Sequence, residues 1–129
     1  MPRRLPRPTD AELTILRVLW DRGPSTVRQV NEALSESRET GYTTTLKLMQ
    51  IMAEKGLVTR DETNRTHLYT ASLAQDRTQQ QLVSDLMHRA FGGSARALVM
   101  QALSAQPVSS DELDEIRKLV DKHRKAGRR

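Results

Sequence analysis

The chain has 129 residues, 36% of them hydrophobic, no cysteine and a formal net charge of +5. That length holds one ordinary domain, or a small domain with an added helical module, and leaves no room for a large multidomain enzyme. The lack of cysteine excludes disulfides and thiolate-held metal; with no signal peptide, and apolar runs far short of the roughly 20 residues that span a bilayer, a cytoplasmic protein is expected.

The opening PRRLPRP should be irregular, because its prolines remove backbone donors and restrict their neighbours. A first helix follows at once. Thr9 and Glu12 have capping-box spacing, and Leu13, Leu16, Leu19 and Trp20 form an apolar stripe that Asp21-Arg22-Gly23-Pro24 ends. Ser25 or Thr26 can cap a second helix containing Val27, Val30 and Leu34, with Gln29 placed to complete a box with Thr26. After a polar stretch from Ser35 to Gly41 comes YTTTLKLMQIMAEKGLV, Tyr42 to Val58. Wound at about 100° per residue, it gathers Leu48, Met49 and Met52 on one side and Thr43, Thr44, Lys47 and Gln50 on the other. The second set can meet phosphates and base edges in a DNA major groove, which suits a recognition helix.

Gly56 makes a natural helix end, and LVTR and THLYTA then read as two short strands around a polar DETNR tip. Three helices followed by a hairpin is the order of a winged helix-turn-helix, with the third helix in the groove and the hairpin as the wing. From Gln75 the pattern is helical only. Leu82, Val83, Leu86, Met87, Ala90 and Phe91 keep the helical period; Gly92-Gly93 interrupts it; Leu98, Val99, Ala102 and Leu103 resume it until Pro107. Ser109 and Glu112 then open a last helix with an apolar seam at Leu113, Ile116, Leu119 and Val120. Three short amphipathic helices bury too little to stand alone, so a second copy of the chain is the expected cover, and folding back onto residues 1–72 is the alternative. The expected fold is therefore mainly α with a small β-hairpin: residues 1–72 form a winged helix-turn-helix, and residues 73–129 a three-helix dimerisation region with a basic tail.

Charge adds little to this. Residues 1–72 carry 11 Lys and Arg against 9 acids, residues 73–129 carry 10 against 7, and much of the surplus sits in tails at Arg3, Arg4, Arg7, Lys122, Arg124, Lys125, Arg128 and Arg129. Such tails can be solvated without binding anything. Catalysis has no residues to rest on: His67, His88 and His123 are scattered, and no HExxH, GxSxG, P-loop or GxGxxG occurs, so no cofactor or metal is expected. With four aromatic residues in the chain, RNA binding by stacking is also disfavoured.

The residues also resemble the penicillinase-repressor (BlaI/MecI) family of bacterial transcriptional regulators. The resemblance rests on Leu19-Trp20, TVRQVNEAL (Thr26 to Leu34), YTT with LMQ (Tyr42 to Thr44, Leu48 to Gln50), KGLV with the HLYTA strand, Gly92-Gly93-Ser94 and the closing SSDELDEIRKLVDK. It implies a homodimeric repressor that binds a palindromic operator on double-stranded DNA. Members that respond to β-lactams are cut at an Asn-Phe bond by a membrane metalloprotease sensor, whereas the comparable place here is Gln101-Ala102. Copper-responsive relatives carry C-terminal cysteines, which this chain lacks. Lys47 and Ile51 stand where Thr and Arg are often found, which implies an altered operator.

The expected DNA contacts are then Tyr42, Thr43, Thr44, Leu46, Lys47, Gln50, Ile51 and Arg65. Thr43 is expected as the N-cap of the recognition helix, with Tyr42 just before the cap, touching the DNA backbone or packing as a staple. Thr44 faces the groove, Lys47 suits guanine or phosphate, and Gln50 suits adenine, with a merely solvated face as the alternative. Leu46 and Ile51 either meet thymine methyls or pack on the wing. Arg65 at the hairpin tip suits a phosphate, Arg60 and His67 are weaker candidates, and Asp61 and Glu62 weaken the wing's attraction. The expected dimer contacts are Leu82, Leu86, Phe91, Leu98, Val99, Leu113, Ile116, Leu119 and Val120. A winged-helix adaptor that binds another protein is the competing function.

Overall fold

The computed structural model describes residues 7–127, so Arg3, Arg4, Arg128 and Arg129 lie outside the described residues. The elements run α1 (Asp10–Arg22), α2 (Val27–Ser35), α3 (Tyr42–Lys55), β1 (Val58–Asp61), β2 (Leu68–Ala71), α4 (Gln75–Ala90), α5 (Ala95–Ala105) and α6 (Ser110–Ala126). The chain divides into two compact units between Gln81 and Leu82, within α4. Among the described residues no helix is long and apolar enough to cross a membrane.

Both capping boxes expected near the N-terminus are present. Thr9 Oγ1 accepts from the Glu12 amide while Glu12 Oε1 accepts from the Thr9 amide, and Thr26 and Gln29 do the same for α2. These satisfy amides that the first helical turn leaves without partners. The buried stripe of α1 is Glu12, Ile15, Leu16 and Leu19, the i, i+3, i+4, i+7 pattern of one helix face. Leu13 and Trp20, expected in that stripe, are only half-buried. The Trp20 indole N–H donates to the Leu73 carbonyl at 2.9 Å, which ties the chain after β2 to α1.

Helix α3 ends in a tight reversal at Gly56, whose φ of 82° and ψ of 14° are left-handed. The Gly56 amide donates to Ala53 O and the Leu57 amide to Met52 O, the paired bonds of a Schellman motif. Both Met52 and Leu57 are fully buried, so the turn also delivers Leu57 into the core and starts β1. The strands pair antiparallel in the register Val58↔Ala71, Thr59↔Thr70, Arg60↔Tyr69 and Asp61↔Leu68. Ser25 adds a two-bond bridge to Tyr69, 3.0 and 2.8 Å, and so fastens the hairpin to the α1–α2 turn. The core comprises Ile15, Leu16, Leu19, Val27, Val30, Met49, Met52, Leu57, Val58 and Tyr69, side chains from all three helices and both strands. Helices one to three with the hairpin are the winged helix-turn-helix expected from the residue order.

One boundary differs. The N-cap of α3 is Gly41, extended at φ −71° and ψ 143°, and Thr43 and Tyr42 both lie inside the first helical turn. The Gly41 carbonyl accepts the first helical bond, from the Thr45 amide at 3.1 Å, which fixes the cap two residues earlier than the threonine preference suggested.

The second unit, Leu82 onwards, contains the rest of α4 with α5 and α6. Ser94 and Ser109 cap α5 and α6 by accepting from the amides three residues on, at 3.1 Å each. Helix α6 opens on Asp111 and Glu112 and closes on His123, Arg124 and Lys125, charges that oppose the ends of the helix dipole. None of residues 82–127 is buried. Leu86, Val99, Leu113 and Val120 are all more than two-fifths exposed, and Leu119 is 55% exposed.

Candidate nucleic-acid interface

The outward face of α3 is set by what its inward face must bury. Thr45, Met49 and Met52 are buried, and the helical period then leaves Thr43, Thr44, Lys47 and Gln50 exposed on the opposite side, with Ile51 half-buried at its margin. Glu54 is exposed toward the C-terminal end. An acid there would repel phosphate, so the usable surface is the N-terminal two turns, where recognition helices read base edges. The α3 N-terminus has no side-chain cap, which leaves its first amides open to an anion at the positive end of the helix dipole.

The wing sorts its charges internally. Arg60 faces Tyr69 across the ladder, and the Tyr69 hydroxyl, then the Glu62 carboxylate at 2.7 Å, hold the guanidinium and raise its pKa. Asp61 accepts from the Thr63 hydroxyl and from the Thr63 amide, the latter at 2.9 Å; these bonds lower its pKa and fold its carboxylate onto the loop. Arg60, a weaker candidate for phosphate contact, is thus already engaged, and Glu62 is engaged with it. Arg65 has no acidic partner among the described residues.

Between the wing and the starts of α2 and α3 lies an open groove of about 510 Å³. Its lining comprises Thr26, Val27, Arg28, Tyr42, Leu46, Arg65, Thr66, His67 and Tyr69. Two arginines, a histidine and several hydroxyls converge there with no carboxylate among them, a donor set suited to phosphate oxygens. Of the expected contacts, the structure brings Tyr42, Leu46 and Arg65 together in this groove, places Thr43, Thr44, Lys47 and Gln50 on the adjoining helix face, and leaves Ile51 at the edge. Leu46 also packs against the core.

Arg28 escaped the sequence reading. Its signal was available: it stands in the first turn of α2, which carries no acid, and a cation at the positive end of a helix dipole is mildly unfavourable unless an anion is bound there. Thr66 was missed as well, and no local pattern marks it. Lys55, by contrast, is turned away from any such role. Its ammonium donates to Glu12 Oε2 at 2.9 Å, and Glu12 is 1% exposed. Burial pushes the Glu12 carboxyl upward, but the Thr9 amide, the Lys55 ammonium and the Thr9 hydroxyl together outweigh it and lower the pKa.

The family model described as penicillinase repressor matches residues 8–122. Transcriptional regulator BlaI of Mycobacterium tuberculosis is 35% identical over 119 residues, covering 91% of this chain and 85% of that protein. The penicillinase repressor of Bacillus licheniformis is 20% identical over 122 residues, with 95% of each chain covered. Among solved structures, the B. licheniformis BlaI monomer in complex with the blaP half-operator is similar in fold, at a TM-score of 0.50 and 22% identity over 57% of this chain and 89% of that one.

Proposed function

Because this chain belongs to the penicillinase repressor family, we propose that it works in the cytoplasm as a homodimer seated on a palindromic operator. Membership makes it a DNA-binding transcriptional repressor and not an enzyme. In the proposed complex each copy lays α3 in a major groove, the two helices entering grooves roughly 34–36 Å apart or a multiple of that. Thr44, Lys47 and Gln50 read base edges, and Leu46 and Ile51 border them as contacts for thymine methyls. Thr43, Tyr42, Arg28 and Arg65, with the open amides of α3, hold the flanking phosphates. The observation that carries this reading is the carboxylate-free groove beside an exposed Thr, Lys and Gln face on a helix whose N-terminus has no side-chain cap.

The homodimer is supported by the second unit. Leu82, Leu86, Phe91, Leu98, Val99, Leu113, Ile116, Leu119 and Val120 are half-buried or exposed in the single chain. Apolar area on this scale calls for a partner, and a two-fold copy covers it with one self-complementary patch. Gln101 and Ala102 sit in the middle of α5, so release by a membrane metalloprotease would first have to unwind that helix.

The test is fluorescence anisotropy with a duplex from the gene's own upstream region and with a scrambled duplex, each at two salt concentrations. Binding to the native duplex alone, two chains per duplex and surviving moderate salt, is the expected result. Equal binding to both duplexes that vanishes with salt would point to non-specific attraction and revive the protein-interaction adaptor.

A further inference from the structure

Helix α3 carries polar links to other elements at two places. At its C-terminal end Lys55 is paired with Glu12 of α1. In its first half the Thr45 hydroxyl, fully buried, donates to Asn31 Oδ1 of α2 at 2.8 Å. The two anchors stand ten residues apart in the sequence, about 15 Å along the axis at 1.5 Å per residue. Between them the fully buried side chains are Met49 and Met52, with Leu46, Leu48 and Ala53 packed at the margin of the same core; all of these are apolar contacts, which fill space but supply no directional bond. Among the described residues, the N-terminal half, which presents Thr44, Lys47 and Gln50, is therefore tied to another element by one directional side-chain contact.

We propose that the Asn31–Thr45 hydrogen bond is the positioning contact that sets the angle of the α3 N-terminal half, so that these two residues govern operator discrimination without touching DNA. The proposal rests on the reading of α3 as the sequence-reading helix. Hydrogen bonds to base edges tolerate only small errors in distance and angle, so a helix free to rock loses readout before it loses attraction to phosphates. The geometry also separates positioning from stability. Thr45 Oγ1 lies 3.3 Å from the Gly41 carbonyl, so when Asn31 is removed the hydroxyl turns back onto its own helix and no buried donor is left without a partner. Losing Asn31 unties α3 from α2 at little cost to the fold.

The experiment takes the full-length protein, Asn31→Ala, Thr45→Val and Thr45→Ser. It measures the affinity of each for the duplex that the wild-type protein selects from a randomised pool and for a scrambled duplex, alongside thermal melts. Asn31→Ala is expected to lower the ratio of selected to scrambled affinity by about tenfold, with scrambled affinity, its salt slope and the melting temperature nearly unchanged. Thr45→Val should do the same with a lower melting temperature, and Thr45→Ser, which keeps the hydroxyl, should retain the wild-type ratio. An Asn31→Ala protein that discriminates within about twofold of wild type would overturn the proposal while leaving α3 as the reader. A fall of about 10 °C or more in its melting temperature would also overturn it, because the bond would then be a stability element. A wild-type protein that selects no sequence would overturn the reading of α3 itself, and the proposal with it.

Discussion

The two units share an alphabet and differ in what they do with it. Amphipathic helices build both, yet residues up to 81 enclose ten buried apolar side chains while residues 82–127 bury none. The difference lies in how many faces meet. In the first unit three helix faces and one face of the hairpin converge, and the Ser25–Tyr69 bridge closes the layer. In the second, Leu113, Leu119 and Val120 of α6 are as apolar as Leu16 and Leu19 of α1 but remain exposed. Hydrophobic periodicity therefore specifies a helix with a sticky side, and says nothing of whether the cover comes from the same chain.

The sharpest way to expose that contrast is to remove the same side chain from each unit. Leu16→Ala should destabilise the first unit by about 2–5 kcal/mol, because it opens a cavity in a closed core. Leu119→Ala should leave a dilute, monomeric sample within about 0.5 kcal/mol of wild type, and lower the melting temperature only where protein concentration favours the dimer. Thermal melts across a hundredfold range of concentration distinguish the two; a concentration-independent loss of several kcal/mol at Leu119 would mean that it is a core residue after all.

A charge in the same place should break the proposed dimer outright. Leu119→Glu is expected to halve the mass seen in equilibrium sedimentation and to reduce operator affinity by about a hundredfold, since one α3 then binds without its tethered twin. An unchanged mass would remove α6 from the interface.

Within the first unit the contrast lies between reading and holding. Lys47→Ala or Gln50→Ala should cost about 1–3 kcal/mol of operator affinity and relax preference at one base position. Arg65→Ala and Arg28→Ala should weaken all sequences alike and flatten the salt slope by about one each. Competition titrations against single-base operator variants separate the classes, and an Arg28→Ala protein with an unaltered salt slope would remove the groove from the phosphate path.

The smallest effect belongs to the Glu12–Lys55 pair. Its lowered folded pKa means that the stabilisation is fully present above the ordinary glutamate range and is lost as pH falls through the folded value. Glu12→Gln should thus cost about 1–2 kcal/mol at neutral pH, and the gap from wild type should close on acidification. Denaturant melts at several pH values test this; a gap that widens toward low pH would contradict the sign.

How much was legible follows the range of each interaction. Thr9 with Glu12 and Thr26 with Gln29 were readable because a capping box is complete within four residues. The Gly56 turn was readable because a left-handed helix end so strongly favours glycine. Thr43 was misplaced as the cap because local preference ranks threonine no lower than glycine, while the actual start depended on burying Thr45 against Asn31 of a different helix. Arg65 was legible as a better phosphate candidate than Arg60 from its place at the hairpin tip, but that Arg60 is already occupied follows from the strand register, which sets it opposite Tyr69.

By itself, then, the sequence determined the order of helices and strands, the capping boxes of α1 and α2, the helix face that points outward and the family, because all of these rest on residue type and on spacing within a turn or two. The tertiary structure alone decided that Lys55 pairs with Glu12, that Asn31 holds Thr45, that Arg28 and Arg65 share one groove, and that the first unit closes its core while the second does not. Those outcomes depend on which distant segments meet, and a chain's local preferences carry no term for a partner 14 or 43 residues away.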